Sequence, residues 1–369
     1  MAAEPVDVDL LVIGGGIHGV GIACEAAGRG MRVLLAERRQ LAAGTSSQST
    51  KLIHGGLRYL EQARLQLVYE GLIEREALLS EFPELVRREW FHIPVFRGGR
   101  RPAWMIRLGL MLYWLLSGGN SRVRSIPREQ WSEQLPGFAT EAMTALLAYE
   151  DAATDDAALV HAVAAKALAA GADIREHAAV VAAERSGEGW RVSFDSGELV
   201  TTNVLVNAAG PWIAEVAAML QPAMPQLAVQ LVQGIHLLLP HPCPGFIYVE
   251  APDGRAVFLR PWPGGTLVGI TETPHAGSPD LAAPTEAEID YLLAIHNRHF
   301  PTRACGRGDI LRTYCGLRVL PQGEAFAASR ETLIVADNEH RPTYLAVYGG
   351  KLTTFRRTAR RLLDRIHPA

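Results

Sequence analysis

The sequence predicts an α/β protein: a Rossmann-like dinucleotide-binding domain, discontinuous along the chain, with a smaller antiparallel-sheet substrate domain. Three observations predict it. A strand, a glycine-rich turn, a helix and a second strand ending in an acid open the chain. Another strand running into glycines lies near the C-terminus. Between them, residues 226–325 read as short strands separated by Pro/Gly-rich turns. The 369 residues, 48% hydrophobic and 20% charged, suffice for a substantial core.

Asp9-Leu10-Leu11-Val12-Ile13 is nearly continuous in apolar residues, as a strand buried in a parallel sheet must be. It runs into Gly14-Gly15-Gly16-Ile17-His18-Gly19, then an apolar stretch of helical spacing, Val20 to Ala27. A second strand, Arg32 to Ala36, ends at Glu37. Each part has a use. Gly14 allows the tight turn, Gly16 lets the backbone approach a diphosphate, and Gly19 lets helix and strand pack closely. The helix N-terminus offers free N–H groups and partial positive charge. Glu37 is placed for the ribose hydroxyls, and its charge disfavours a 2′-phosphate. This segment alone leaves FAD and NAD both open.

Several classes are excluded on the same terms. The four cysteines form no Cys-x-x-Cys pair, against a zinc ribbon, an iron–sulfur cluster or a disulfide scaffold, and no metal is expected. No basic region precedes an apolar stretch at the N-terminus, so an intracellular globular protein is expected. The longest apolar run, Leu108 to Leu116, is too short to span a bilayer. A net charge of −3 argues against a nucleic-acid partner. Lysine occurs only at Lys51, Lys166 and Lys351, the other basic residues being arginine.

The segment Gly44-Thr45-Ser46-Ser47-Gln48-Ser49-Thr50-Lys51-Leu52-Ile53-His54-Gly55-Gly56-Leu57-Arg58-Tyr59-Leu60-Glu61 closely resembles the signature of FAD-dependent glycerol-3-phosphate dehydrogenases, within the D-amino-acid-oxidase-like flavoprotein superfamily. The resemblance continues, in family order, through Arg101–Arg107, Asp155-Asp156-Ala157 and Asn207–Trp212. It runs on through Gly234-Ile235-His236, Gly269-Ile270-Thr271, Gly316-Leu317-Arg318, Ser329-Arg330 and Tyr348–Thr354. Glu272 stands where the family usually has Asp, and Val319 where it usually has Pro. The family's C-terminal helical domain has no counterpart in this sequence, so a short form is expected.

The resemblance implies FAD, hydride transfer from C2 of sn-glycerol 3-phosphate to flavin N5, and dihydroxyacetone phosphate as product. Electrons would pass to a membrane quinone. The implied cofactor contacts are Gly14, Gly16, Gly19, Glu37, Thr45, Ser46 and Ser47, with Lys51, His54 and Gly55. Gly210, Gly349, Gly350, Leu352 and Thr353 complete them. Hydroxyls at Thr45–Ser47 suit phosphate and ribityl oxygens, and a helix starting near Thr353 would aim its N-terminus at the flavin. A phosphate dianion needs cations: Arg58, Arg318 and Lys351, with Arg330 a fourth. His236 is the expected proton acceptor, because imidazole titrates near working pH, with His54 a second candidate. Tyr59 and Thr271 could hydrogen-bond the substrate.

The expected division is 1–95, 140–225 and 326–369 for FAD binding, 96–139 for a membrane-surface or cap segment, and 226–325 for the substrate domain. Trp90 to Arg128 contains no acid but seven arginines and three tryptophans around the apolar run. That pattern suits a bilayer interface, hence attachment to the cytoplasmic face of the inner membrane. Alternative readings are an amino- or hydroxy-acid oxidase, a glycerophosphate oxidase using O₂, and a non-catalytic flavoprotein subunit.

Overall fold

The computed structural model describes residues 7–322 and 332–366; Arg330, with Ser329, lies outside the described residues. Strand β1 (Val8–Ile13) is buried from Leu10 onward and pairs in parallel on both sides. Val12 lies opposite Leu35 of β2 (Val33–Ala36) and opposite Val206 of the strand Leu199–Asn207. That strand in turn pairs in parallel with Tyr344–Tyr348. The chain's two ends therefore meet in one nine-stranded sheet, widened by the hairpin Val180–Ser186 and Gly189–Phe194. Helix α1 (Ile17–Gly28) covers it, wedged between the helices Asp156–Ala169 and Phe355–Ile366. Ile22, Ala26, Val160, Ala359 and Leu362 share that core.

The second sheet has ten strands and is mostly antiparallel. The strands expected between 226 and 325 form half of it: Val229–Leu239, Phe246–Glu250, Ala256–Trp262, Gly265–Gly269 and Arg312–Pro321 among them. The long antiparallel pair Arg87–Phe96 and Met143–Ala153 forms much of the rest, with Leu52–Ile53 and Val123–Ile126 attached. Phe246–Glu250 joins the two halves through a parallel pairing with Arg87–Phe96. This sheet is thus not the smaller one, and it draws strands from intervals read as part of the dinucleotide-binding domain. Register between strands so distant along the chain is set by tertiary packing, which local pattern does not report. Helix Glu286–His299 follows, opened by a capping box of Thr285 and Glu288.

Two helices lie on the outer side of the second sheet's first half. Helix α2 (Leu65–Glu81) buries Val68, Leu72 and Leu78, whereas α3 (Ala103–Leu116) buries only Leu110 and Tyr113. The solvent side of α3 carries Trp104, Leu108, Met111 and Leu115, each at least 60% exposed. These recur at helical spacing and form one apolar stripe. Among the described residues no helix is long and apolar enough to cross a membrane.

Candidate active site

A cavity of about 590 Å³ opens between the sheets, at the carboxyl ends of β1 and Leu199–Asn207, where Ile13 and Ala208 line it. At one end lies the glycine turn. A Cβ on Gly19 would fall 1.8 Å from the Gly14 carbonyl oxygen, so helix and strand approach as closely as the motif requires. Glu37 is held by backbone donors: Oε2 accepts from Gly15 N–H at 2.7 Å and Oε1 from Arg39 N–H at 2.8 Å. Ser46 Oγ accepts the Ile17 N–H at 3.0 Å, while the α1 N-terminus has neither a side-chain cap nor an acid in its first turn. Its positive end stays open to an anion. The guanidinium groups of Arg38 and Arg39 lie 4.5 and 5.1 Å from the Trp212 ring, extending this wall.

His18 and Gly350 form the waist. A Cβ on Gly350, at φ +102°, would meet His18 Nε2 at 2.2 Å. Burial holds the His18 imidazole down at about 4, so it is neutral, and its Nδ1 has no hydrogen-bond partner among the described residues. An orphaned ring nitrogen, an open helix N-terminus and a ribose-ready carboxylate fit a dinucleotide cofactor. Gly14, Gly16, Glu37, Thr45, Ser46 and Gly210 line this cavity, as do His54, Gly349, Gly350, Leu352 and Thr353. Residues His54 and Thr353 clasp each other through backbone and hydroxyl, His54 N–H donating to Thr353 Oγ1 at 3.2 Å.

The other end is cationic. Arg58, Arg318 and Lys351 line it with Tyr59, Tyr149 and Tyr248, and Lys351 Nζ sits 3.8 Å from the Tyr59 ring centre. Arg318 donates from Nη1 to Glu272 Oε1 at 2.8 Å, and from Nη2 to the Thr271 carbonyl at 3.3 Å. Among the described residues Arg58 makes no ion pair, and it faces Tyr248 closely enough to stabilise that phenolate.

Six expected site residues lie behind the wall rather than on it. His236 is fully buried; burial first, then Lys51, Arg318 and Arg260, press its pKa to about 3. Its Nε2 lies 3.0 Å from Thr50 Oγ1, so it reaches the cavity only through that hydroxyl. The expectation that its imidazole titrates near neutrality does not hold in this surrounding. Lys51 is spent on a buried ion pair with Asp156 and donates to the Ser47 carbonyl at 3.0 Å. Thr271 Oγ1 donates to Glu288 at 2.8 Å and accepts the Ile235 N–H at 3.0 Å. Ser47 turns back on Gly44 and Gln48, and Gly55 N–H donates to the Tyr113 hydroxyl at 2.9 Å. Gly19 is the packing glycine already described.

Sequence reasoning overlooked His18, Arg38, Tyr149, Tyr248, Arg255, Phe258 and Glu272 as cavity residues. His18 occupies a variable place inside the glycine motif, and Glu272 was visible only as a departure from a family pattern. Arg255 and Tyr248 stand on a hairpin with no local mark of function.

The sequence pattern described as FAD dependent oxidoreductase matches residues 9–356. D-erythritol 1-phosphate dehydrogenase of Brucella abortus is 39% identical over 99% of this chain and 74% of its own. Glycerol-3-phosphate dehydrogenase of Pseudomonas tolaasii is 39% identical over 98% of this chain and 71% of its own. Among solved structures, the Bacillus halodurans glycerol-3-phosphate dehydrogenase complexed with FAD superposes with a TM-score of 0.78 at 26% identity, covering 98% of this chain and 64% of that one.

Proposed function

Because the chain belongs to the FAD dependent oxidoreductase family, we propose that it oxidises sn-glycerol 3-phosphate to dihydroxyacetone phosphate. The observation that carries the reading is the meeting of Arg58, Arg318 and Lys351 at one end of a cavity whose other end is the dinucleotide turn. Bound FAD supplies the two-electron acceptor for the hydride leaving C2. The chain's own residues do the rest. Arg58 and Arg318 offer planar forks to phosphate oxygens, and Lys351 a point charge. Glu272 holds Arg318 in place before substrate arrives. His54, on the cavity wall, accepts the proton of the C2 hydroxyl; His236 orients Thr50 from behind. Tyr59, Tyr149 and Tyr248 close the site against water. Gly14, Gly16, Glu37 and Ser46 hold the adenosine diphosphate half.

An amino-acid oxidase site needs one arginine for a carboxylate, and three cations exceed that need. A longer polyol phosphate suits the same cations, and the Brucella abortus relative bears the name of such an enzyme. The α3 stripe, with its arginine fringe, supports attachment to the cytoplasmic face of the inner membrane, where a quinone would take the electrons. The test is anaerobic mixing of the flavin-loaded protein with substrate. Bleaching of the yellow colour by glycerol 3-phosphate, and not by amino acids, is the expected result. Bleaching by erythritol 1-phosphate alone would move the assignment to the longer substrate, and no bleaching by any phosphate ester would defeat it.

A further inference from the structure

A second concavity, of about 440 Å³, lies on the far side of the second sheet from the flavin cavity's glycine turn. Three arginines from three separate elements rim it: Arg97 after Arg87–Phe96, Arg107 on α3, and Arg128 after Val123–Ile126. Its floor is apolar and buried, made by Ile126, Met143 and Leu146. Trp131 closes one wall, its Nε1 already donating to the Ile126 carbonyl at 3.0 Å, so it offers a ring face rather than a donor. No Asp or Glu lines the hollow.

The pairing of these arginines sets them apart from their neighbours. Arg100, Arg101 and Arg122, in the same acid-free segment, reach out to Glu250, Glu61 and Glu150. Arg97, Arg107 and Arg128 make no ion pair among the described residues; Arg107 has only a long contact to Ser125 Oγ at 3.4 Å, and Arg128 lies 5.8 Å from the Trp131 ring. Three cations converging without a counter-ion form a site for an anion with several oxygens. Arg107 also flanks the α3 stripe of Trp104, Leu108 and Met111 on the same helix. A ligand bound here thus has its charge in the hollow and an apolar surface directly beside it.

We propose that this hollow binds the phosphate of an anionic phospholipid, seating the headgroup among Arg97, Arg107 and Arg128 while the α3 stripe enters the acyl boundary. The proposal rests on the membrane attachment read above and adds to it a defined headgroup site. A bare patch of charge would be indifferent to which arginines supply it; a site is not.

The experiment compares two doubly substituted proteins of equal net charge, both altered in the 97–128 segment. Arg107→Gln with Arg128→Gln removes two rim residues, and Arg100→Gln with Arg124→Gln removes two outside the hollow. Cosedimentation with phosphatidylglycerol vesicles and with phosphatidylcholine vesicles is measured for both and for the unaltered protein, with flavin content and melting temperature as checks of folding. Arg97→Gln alone serves as a milder third variant. The rim pair should bind phosphatidylglycerol about 30-fold more weakly, at the usual contribution of a basic residue near an anionic surface, and the outer pair less than about 3-fold. Equal losses in the two pairs would overturn the site while leaving attachment intact. If the unaltered protein ignores both vesicles, attachment and site fall together. Displacement by millimolar inorganic phosphate, at constant ionic strength, would assign the hollow to a free anion and overturn the lipid.

Discussion

Arg318 meets its substrate already engaged, with Glu272 on one side and the Thr271 carbonyl on the other. Its fork is therefore oriented before binding, which limits the ordering lost when phosphate arrives. Arg318→Ala should raise KM for glycerol 3-phosphate by roughly 10- to 150-fold, the range of a charge-assisted contact worth about 1.5–3 kcal/mol. Steady-state kinetics decide it, and an unchanged KM would remove Arg318 from the phosphate site. The two histidines should separate sharply. His236 stays neutral down to about pH 3, so His236→Asn should leave the near-neutral limb of the pH profile where it was. His54→Asn should slow single-turnover flavin reduction and flatten that limb; the reverse pattern would return the base to His236. At this scale the sequence was legible where a motif sets the backbone, as at Gly14–Gly19 and Glu37. It was silent about direction: Thr50, Lys51 and Thr271 sit beside cavity residues, yet Thr50 and Glu272 face the cavity while Lys51 and Thr271 face away.

Helix α3 is joined to the interior through little more than Leu110 and Tyr113. The tyrosine hydroxyl accepts the Gly55 N–H at 2.9 Å and donates to Asp151 Oδ2 at 2.7 Å, while Arg75 holds the other carboxylate oxygen at 2.9 Å. A surface helix thus reaches, through one buried hydroxyl, the backbone that carries His54 and Arg58. Removing it leaves a buried donor and a buried acceptor short of partners, so Tyr113→Phe should cost about 1–3 kcal/mol. Urea unfolding measures that loss, and a variant as stable as its parent would show the triad to be expendable. Periodicity identified individual elements well: Val229–Leu239 and the helix from Glu286 stand where apolar spacing put them. It did not identify the sheet each strand joins. Arg87–Phe96 and Met143–Ala153 alternate no differently from strands of the first sheet, and only pairing with Phe246–Glu250 assigns them to the second.

The folded molecule keeps at least three imidazoles neutral by burial, His18 and His299 at about 4 and His236 at about 3. Each is protonated more readily in the unfolded chain, near 6.5. Stability from these groups is therefore complete above that value and is lost as pH falls toward the folded values. Between pH 7 and pH 5 each should remove about 2 kcal/mol. Denaturant titrations across that interval test it, and a flat profile would contradict it. The meeting of the chain's ends has a consequence for how the protein is made. Strand Leu199–Asn207 waits, with one edge unpaired, until Tyr344–Tyr348 leaves the ribosome, and the wall from Gly349 to Thr353 follows later still. The second sheet's halves can pair during that interval, but the flavin compartment cannot close. Cofactor loading is thereby placed at the end of translation, and a nascent chain halted before Tyr344 should be colourless and dependent on chaperones to shield that open edge.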